Sequence, residues 1–318
     1  QAQQASLPVW RRAANRWYLD SLSRPGGVRL LSAVARGYRG SGLRWAAQRT
    51  GLIRLLGMQP YDRLTDRIGR SIAWSELRRP TPESAPSVAL FTGCLSQITE
   101  PRVLQAAAQL LGEIGFRVDL PAGQACCGAL HRHAGFAREA DRLLERNAAA
   151  FGRQPIVSIA TACAAELQEH AALGPRTHEI CEFLGRVDWP AKLRLGALPK
   201  RVAVHEPCSQ RNRLGSTQAT YALLARIPEL QVIPLPDNQR CCGGAGTYML
   251  RQPASAQRLL ADKLRQLRAM APDILVTANT GCALHLAAGV REAGLNLEVC
   301  HPVELLARQL QAACGAGA

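Results

Sequence analysis

Two cysteine doublets, each followed by glycine, are the residues of this sequence whose types and spacing could do chemistry. Cys126-Cys127-Gly128 lies in the first half of the chain, and Cys241-Cys242-Gly243 lies in the second. A disulfide between neighbouring cysteines would strain the peptide that joins them, because disulfide geometry separates the two Cα atoms. Two thiolates directed at one metal centre agree better with the pattern, and glycine lets the backbone pass close to such a centre.

Single cysteines flank each doublet at similar distances. In the first half, 31 residues separate the preceding cysteine from the doublet and 35 separate the doublet from the following one; in the second half, the numbers are 32 and 39. The segments 88–94 and 157–163 resemble 202–208 and 276–282, which indicates an internal duplication. Eight of the 11 cysteines therefore form two sets of four. The candidate metal ligands are Cys94, Cys126, Cys127 and Cys163 in the first set, and Cys208, Cys241, Cys242 and Cys282 in the second.

The elements that must position these cysteines alternate between strands and helices, which is typical of an α/β fold. The predicted strands are 88–92, 116–120, 156–160, 201–205, 231–235 and 274–278. The predicted helices are 101–114, 137–151, 217–226 and 254–270, with a short element after each half around 179–184 and 299–310. Each single cysteine follows a strand, and each doublet follows a middle strand. Since the carboxyl ends of parallel strands form one crevice, we expect each set to converge there.

The segment before the first repeat has a different composition. Residues 1–85 contain 15 Arg against five acidic residues, and four of the five Trp, Trp10, Trp17, Trp45 and Trp74. We predict a helical basic segment and proline-rich linker at 1–85, a first repeat at 86–195 and a second at 196–318. The segment could dock a partner subunit or an anionic membrane face, or form a helical layer with solvated arginines. No nucleic-acid motif is present, so we expect no nucleic-acid partner.

Four thiolates suit either a zinc ion or an iron–sulfur cluster. Adjacent cysteines reach two irons of a larger cluster more easily than two corners of one tetrahedron, which favours iron–sulfur and leaves zinc as the alternative. Cys181, Cys300 and Cys314 fall outside both sets and are expected to be ordinary buried or tail residues. His285 follows Cys282 by three residues, but a packing or hydrogen-bonding role is favoured over ligation. His131, His133 and His205 are interpreted in the same way.

The compartment is indicated by what the sequence lacks. No apolar run of about 18 residues predicts a transmembrane helix, and the start of the sequence shows no secretory pattern. The odd number of cysteines points to a reducing compartment. We therefore expect a cytoplasmic protein, peripheral at the inner face of the membrane if the basic segment docks there. The sequence does not begin with Met, so we expect a trimmed chain or the tail of a longer product.

The twice-given pattern of a cysteine, a Cys-Cys-Gly run and a further cysteine resembles the cysteine-rich (CCG) domain found in heterodisulfide reductases and their relatives. Among these, the sequence is most similar to the iron–sulfur subunit of bacterial glycolate oxidase (glycolate dehydrogenase). The segments that carry this resemblance are 126–131, 241–248 and 277–286. It covers roughly residues 86–312.

The resemblance implies two tandem Rossmann-like CCG repeats with parallel sheets and two [4Fe-4S] clusters. It also implies an electron-transfer subunit of a flavin-dependent 2-hydroxyacid dehydrogenase, which receives electrons from flavin-containing subunits that oxidise glycolate and passes them toward the respiratory chain. The alternatives are a related subunit for lactate oxidation or disulfide reduction, and a zinc-stabilised or metal-free scaffold. No flavin-binding Gly-x-Gly-x-x-Gly run or P-loop is present, so we expect no catalysis by this chain alone.

The sequence departs from the family in two places. Family members carry an N-terminal ferredoxin-like domain with two cysteine-rich runs, whereas residues 1–93 contain no cysteine. That domain is therefore expected to be lost, cut away or supplied by another chain. The heterodisulfide reductase pattern also has a fifth cysteine where this chain has Glu166 and His285. This difference favours a four-cysteine cluster over a five-thiolate one.

Overall fold

The structure, a computed structural model, describes residues 16–17, 19–77 and 81–315. Trp10, residues 78–80 of the predicted N-terminal segment and the side chain of Cys314 lie outside the described part. Over the described ranges no helix is long and apolar enough to cross a bilayer. The described residues form two α/β repeats preceded by a helical segment.

Each repeat is built on a parallel four-stranded sheet. The strand orders are β2-β1-β3-β4 and β6-β5-β7-β8, so the two sheets have the same topology. The strands of the first sheet are β1 Ser87–Phe91, β2 Arg117–Asp119, β3 Ile156–Ser158 and β4 Thr177–Glu179. Those of the second are β5 Arg201–Val204, β6 Gln231–Pro234, β7 Ile274–Val276 and β8 Glu298–Cys300. The predicted fold class, two tandem α/β repeats with parallel sheets behind a helical segment, is confirmed.

Helices cover both sheets. The helices are α1 Pro25–Gly40, α2 Leu43–Arg49, α3 Leu52–Leu55 and α4 Gln59–Leu64 in the N-terminal segment, α5 Ser96–Thr99, α6 Pro101–Ile114, α7 Ala129–His133, α8 Ala137–Ala150, α9 Thr161–Leu167 and α10 Ile180–Arg186 in the first repeat, and α11 Thr217–Leu224, α12 Tyr248–Arg251, α13 Pro253–Met270, α14 Thr280–Glu292 and α15 Pro302–Gly315 in the second. Proline stands at the first position of α6, α13 and α15, where its missing N–H costs no helical hydrogen bond. A π-helical turn, Gln210–Leu214, follows Cys208.

The strands and helices predicted from apolar patterning are all present, with ends shifted by up to two residues. The short element predicted after each half is a fourth strand followed by a helix: β4 and α10 in the first repeat, β8 and α15 in the second. The prediction also missed α9 and α14. Nine of the 13 residues of α14 are buried, so it is apolar on most of its circumference and lacks the one-sided period that identifies a surface helix.

The two repeats share one hydrophobic core. Leu104 and Leu111 of α6 and Leu306 and Leu310 of α15 belong to the same buried cluster, together with residues of β1 and β5. Two further clusters lie on the opposite faces of the sheets. The first contains Cys94, Cys126 and Cys127 with Cys163 packed against it, and the second contains Cys242 and Cys282. The N-terminal segment is joined to the first of these, because Val28 of α1 packs among its residues.

The carboxyl ends of the two sheets meet at a junction between the repeats. The amide of Thr161, at the start of α9, donates a hydrogen bond to the carbonyl of Ala278 at 3.0 Å. The hydroxyl oxygens of Thr161 and Ser209 lie 2.7 Å apart, and a ring nitrogen of His301 lies 2.9 Å from the Ile159 carbonyl oxygen. The edges that carry the two cysteine sets therefore lie side by side.

Candidate metal centres

The first cysteine set comes together at the carboxyl edge of the first sheet. Cys94 follows β1, the doublet lies between β2 and α7, and Cys163 is in the first turn of α9. The sulfur of Cys126 lies 3.4 Å from that of Cys94, and the nearby Cys163 thiol contributes to raising the pKa of Cys127. Three of the four side chains are buried, and Cys163 is partly exposed.

The second set repeats this arrangement. Cys208 follows β5, the doublet lies between β6 and α12, and Cys282 is in the first turn of α14. The nearby Cys208 thiol is the largest cause of the lowered pKa of Cys241, and the sulfurs of Cys242 and Cys282 lie within 4.8 Å of each other. Cys242 and Cys282 are buried, whereas the other two are partly exposed. The structure thus brings together each of the two predicted sets.

Hydrogen-bond donors approach the sulfurs of the second set from the backbone and from one amide side chain. The amide nitrogens of Gly243 and Gly244 lie 3.3 Å and 3.4 Å from the sulfurs of Cys241 and Cys242. Asn279 donates from Nδ2 to the sulfur of Cys282 at 3.4 Å. Donors of this kind stabilise thiolates and orient them toward a metal centre.

The electrostatics of each set require a positive centre for full ionisation. Hydrogen bonds from Cys208 and Cys242, followed by that from the Gly243 amide, lower the pKa of Cys241 to about 2. Its neighbours Cys208 and Cys242 have pKa values raised above the ordinary thiol range, first because each donates to the Cys241 thiolate. The first set behaves in the same way around Cys126. Three coupled thiols in each set, of which one has a lowered pKa and two have raised pKa values, suit a bound cation or cluster that would deprotonate them all.

Glycine is required after each doublet by geometry. Gly128 and Gly243 have φ values of +94° and +88°, in the left-handed region. A Cβ on Gly243 would lie 2.7 Å from the carbonyl oxygen of Ala256 in α13, and one on Gly128 would lie 3.0 Å from that of Ala140 in α8. The doublet loops therefore press directly on helix backbone, which no side chain would allow.

An amide side chain in each repeat ties the doublet loop to the central strand. Gln124 accepts from the Thr92 amide at 2.9 Å, and Asn238 accepts from the Glu206 amide at 3.1 Å. Asn238 also donates to the carbonyl of Val204 at 2.9 Å. Both amides escaped the sequence analysis, although each stands two or three residues before a doublet, and that shared position is the signal that could have revealed them.

Asn279 connects the two centres. While its Nδ2 donates to Cys282, its Oδ1 accepts from the amide of Ala162 at 3.2 Å. Ala162 precedes Cys163, so one side chain links a sulfur of the second set to the backbone beside a ligand of the first. The bridge is possible because the carboxyl ends of β3 and β7 meet at the junction.

His205 lies in the second centre. One of its ring nitrogens and the sulfurs of Cys242 and Cys282 are all within 4.8 Å of one another, a grouping that could hold one metal ion. Its Nδ1 lies 3.0 Å from the hydroxyl of Thr277, and burial lowers its pKa to about 3. The sequence analysis gave His205 a structural role, and the structure places it among the candidate ligands.

Two other histidines near the cysteines, His285 and His131, have protein partners. A ring nitrogen of His285 lies 3.3 Å from the carbonyl oxygen of Ala256, and one of His131 lies 3.2 Å from a carboxylate oxygen of Asp20. His133 lines the cavity described below.

Neither Cys181 nor Cys300 approaches a centre. Both are buried in the core that the repeats share. Glu166, at the position matching His285, accepts from Arg132 at 2.5 Å. The structure thus places these residues where the sequence analysis put them, outside the two sets.

A cavity of about 520 Å³ lies beside the first centre. Its wall includes all four cysteines of the first set, apolar residues of α1 to α4, and the Gly246–Leu250 region of the second repeat. The first centre is therefore enclosed by the N-terminal segment as well as by its own repeat. Such surroundings exclude water from a buried metal centre.

A comparison with protein families identifies this architecture. The family model of the cysteine-rich domain, CCG, matches residues 88–168 and 202–287, so each match spans one cysteine set. The chain belongs to the CCG cysteine-rich domain family. Each match covers the first three strands of one of the two sheets and ends before the fourth, and the predicted duplication is confirmed. Clustered cysteines in such a domain indicate the binding of metal or of an iron–sulfur cluster.

Two curated relatives align with more than two thirds of this chain. Lactate utilization protein A 2 of Bacillus cereus (strain AH820) is 28% identical over 243 residues, which is 70% of this chain and 98% of the relative. Lactate utilization protein A of Geobacillus thermodenitrificans (strain NG80-2) is 26% identical over 238 residues, with coverage of 69% and 98%. Glutamate racemase RacE1 of Bacillus anthracis aligns in structure with a TM-score of 0.32 and 14% identity, over 74% of this chain and 84% of the racemase, a score too low to inform the fold.

These comparisons confirm one part of the resemblance and leave another without support. The CCG family is confirmed. Both of these relatives are lactate utilization proteins. Their names agree better with the alternative prediction, a related subunit for lactate oxidation, than with the glycolate oxidase subunit.

Proposed function

We propose that the protein is an iron–sulfur electron-transfer subunit of a complex that oxidises a 2-hydroxyacid, with lactate as the substrate. The observation that carries this proposal is the pair of four-cysteine centres joined through Asn279 at one junction. Two redox centres linked in this way form a relay, whereas a structural metal needs no neighbour. The names of the relatives support lactate as the hydroxyacid over glycolate.

The division of chemistry follows from the residues. An iron–sulfur cluster supplies one-electron transfer when it is bound. The protein's part is to hold it through Cys94, Cys126, Cys127 and Cys163, and through Cys208, Cys241, Cys242 and Cys282. Backbone and amide donors of the second set stabilise sulfur charge, and the buried surroundings limit access of water. Electrons would come from a flavin-containing subunit, and a ferredoxin-like domain on another chain is a further proposed partner.

A zinc-stabilised scaffold is the second candidate. It is favoured by the compact group of His205, Cys242 and Cys282, whose ligand atoms lie within 4.8 Å of one another as a single ion requires. The group occurs in the second repeat, so a scaffold of this kind would bind one zinc ion there.

Metal analysis separates the two candidates. Protein purified anaerobically is expected to contain about eight iron and eight acid-labile sulfide per chain, because each set supplies the four thiolates of one four-iron cluster. The measurement is iron, sulfide and zinc content per chain, with electron paramagnetic resonance (EPR) of the reduced protein. Stoichiometric zinc without sulfide would contradict the electron-transfer proposal and favour the scaffold.

The N-terminal segment presents an apolar surface bordered by unpaired positive charge. We call its exposed residues the basic apolar face: Leu30, Val34, Leu43, Trp45, Leu52, Leu55, Leu56 and Met58, with Arg24, Arg29, Arg36, Arg49 and Arg54. Four of the segment's described acids, Asp20, Asp62, Asp66 and Glu76, pair with arginine. Within the described residues, the five arginines of the face have no acidic partner. We propose that the face docks on an anionic membrane surface, since Trp, Leu and Arg together suit an interfacial helix.

Vesicle binding tests the docking proposal. Arg54→Glu is expected to weaken binding to vesicles of phosphatidylcholine and phosphatidylserine by about tenfold or more, because each basic residue near such a surface contributes about 1 kcal/mol. Leu55→Asp should also weaken it, since the 83% exposed Leu55 would lose its insertion into the interface. Binding of the unmodified protein should fall as salt rises. The measurement is co-sedimentation with vesicles.

Arg258→Glu is the matched control for this experiment. Arg258 is exposed on α13 of the second repeat and does not belong to the basic apolar face. Its reversal makes the same change in net charge. If both reversals weaken binding equally, the attraction is due to net charge alone and the docking face is refuted. If no vesicle binding occurs but the face variants fail to join a flavin-containing subunit, the partner is a protein.

A further inference from the structure

Corresponding positions of the two repeats can be matched residue by residue. An offset of 114 residues relates Cys94 to Cys208, and an offset of 115 relates the doublets. In the following helices, the matched contacts of Gly128 with Ala140 and of Gly243 with Ala256 give an offset of 116. By these offsets Asn147 corresponds to Lys263, and Phe91 corresponds to His205. The two centres are thus alike in their sulfurs and different in their neighbours.

In the first repeat the matched helix position is neutral. Asn147 is fully buried and donates from Nδ2 to the carbonyl of Cys126 at 3.1 Å. Its Oδ1 accepts from the amide of Ala125 at 2.8 Å. The side chain therefore clamps the doublet loop from both directions and brings no net charge to the centre.

In the second repeat the same position is a buried lysine. Lys263 is 1% exposed, and its Nζ donates to the carbonyl of Asp237, four residues before Cys241, at 2.6 Å. The nearby Asp237 carboxylate is exposed and accepts instead from Gln266 at 2.8 Å. Burial lowers the pKa of Lys263, while the thiols of Cys242 and Cys241 and the Asp237 carboxylate act to raise it. The ammonium is thus electrostatically coupled to the doublet.

The remaining charges do not reproduce this feature at the first centre. Arg132 pairs with the Glu166 carboxylate, and a ring nitrogen of His131 lies 3.2 Å from a carboxylate oxygen of Asp20, whereas the Lys263 ammonium donates to a neutral carbonyl. At the second centre, the position of Phe91 is taken by His205, a polar ring among the sulfurs. More of the second set also reaches solvent, because two of its cysteines are partly exposed and only one of the first set is.

The buried lysine, the polar His205 ring and the greater solvent exposure of the second set all favour the reduced state of a cluster bound there. Reduction of a thiolate-bound cluster adds negative charge, which a buried cation, a polar neighbour and contact with water each stabilise. In the low-dielectric interior the effect of a nearby unit charge is larger than it would be at the surface.

We propose that Lys263 is a positioning residue that holds the second centre at a higher reduction potential than the first. The inference rests on the proposed iron–sulfur function and adds a direction to it. Each transfer would move one electron from the first cluster to the second, so the first cluster is oxidised and the second is reduced. Asn279 lies on the bonded path between them.

The order of the two potentials can be tested without altering Lys263. Cys127→Ser and Cys242→Ser are each expected to retain one cluster, the second and the first respectively. Redox titrations of the two anaerobic variants, followed by EPR, should give the higher midpoint potential for Cys127→Ser. The reverse order, or equal potentials, would overturn the inference. Absence of any iron–sulfur signal in the unmodified protein would instead contradict the proposed function.

The role of Lys263 is tested by Lys263→Gln, which keeps a donor for the Asp237 carbonyl and removes the charge. In the Cys127→Ser background, this change is expected to shift the midpoint of the second cluster to lower potential at unchanged iron content. Lys263→Arg, which keeps the charge, should restore the potential, as a merely structural role would not. An unshifted midpoint in the glutamine variant refutes the role. The glutamine variant could instead lose the second cluster. If Lys263→Met then keeps this cluster at an unchanged midpoint potential, the proposed role of Lys263 is also refuted.

Discussion

Replacing Cys242 with serine is expected to halve the iron and sulfide content and to remove one of two EPR signals. Cys242 is buried beside Cys241 and Cys282, and its sulfur accepts a hydrogen bond from the Gly244 amide. Serine would put a neutral hydroxyl in place of this sulfur, so the second set would keep only three of the four thiolates that a cluster needs. Because the first set has its own four cysteines, its signal should persist. Cys127→Ser should give the complementary loss. Iron and sulfide assays on anaerobic protein, together with EPR, measure both.

A buried cysteine outside the sets provides the control. Cys300 is as buried as Cys242 but lies in the core shared by the repeats, where burial raises the pKa of its thiol. Cys300→Ser is expected to lower stability, since it buries a hydroxyl, and to leave iron content unchanged. If Cys300→Ser and Cys242→Ser lost iron to the same extent, the assignment of cysteines to two sets would be wrong.

Gly243→Ala is expected to destabilise the second repeat by about 3 kcal/mol and to lower its metal content. The left-handed φ costs a residue with a Cβ about 1–2 kcal/mol. The new methyl would also lie 2.7 Å from the Ala256 carbonyl oxygen, and overpacking of this kind costs about 1–3 kcal/mol. The doublet must then move away from α13, which displaces the sulfurs of Cys241 and Cys242. Denaturant unfolding of anaerobic protein measures the loss.

Gly215→Ala separates the two contributions. Gly215 also has a positive φ, +64°, but nothing lies within 4 Å of the position where its Cβ would be. This variant should lose about 1 kcal/mol and keep its metal, because only the backbone preference is affected. Equal losses in the two variants would show that the contact between the doublet loop and α13 is not required.

The fold could be predicted from the sequence where the signal was local or repeated. The buried strands, such as β1 and β5, are runs of apolar residues bounded by turn residues, and α6 and α13 have a one-sided apolar period. The duplication then placed the cysteines at strand ends. What escaped prediction was short or buried on most sides: β4 and β8 have three residues each, too few for a strand pattern.

The candidate centres were only partly predictable. The eight cysteines could be grouped from spacing alone, because each set stands at the same places relative to its strands. Asn279 and Lys263 could not be found this way, since each acts through contacts between segments distant in the chain. The role of His205 became visible only when its ring was seen beside Cys242 and Cys282.

The sequence offset between matching cysteines of the two repeats increases along the chain, which indicates where the protein tolerates insertions. The offset is 114 residues at Cys94 and Cys208, 115 at the doublets and 119 at Cys163 and Cys282, yet both sets converge in the same way. All the added residues therefore lie between ligands, in the elements and loops that connect them. Ligand positions follow strand ends and helix starts, so surface insertions in these connections should be tolerated during evolution or engineering.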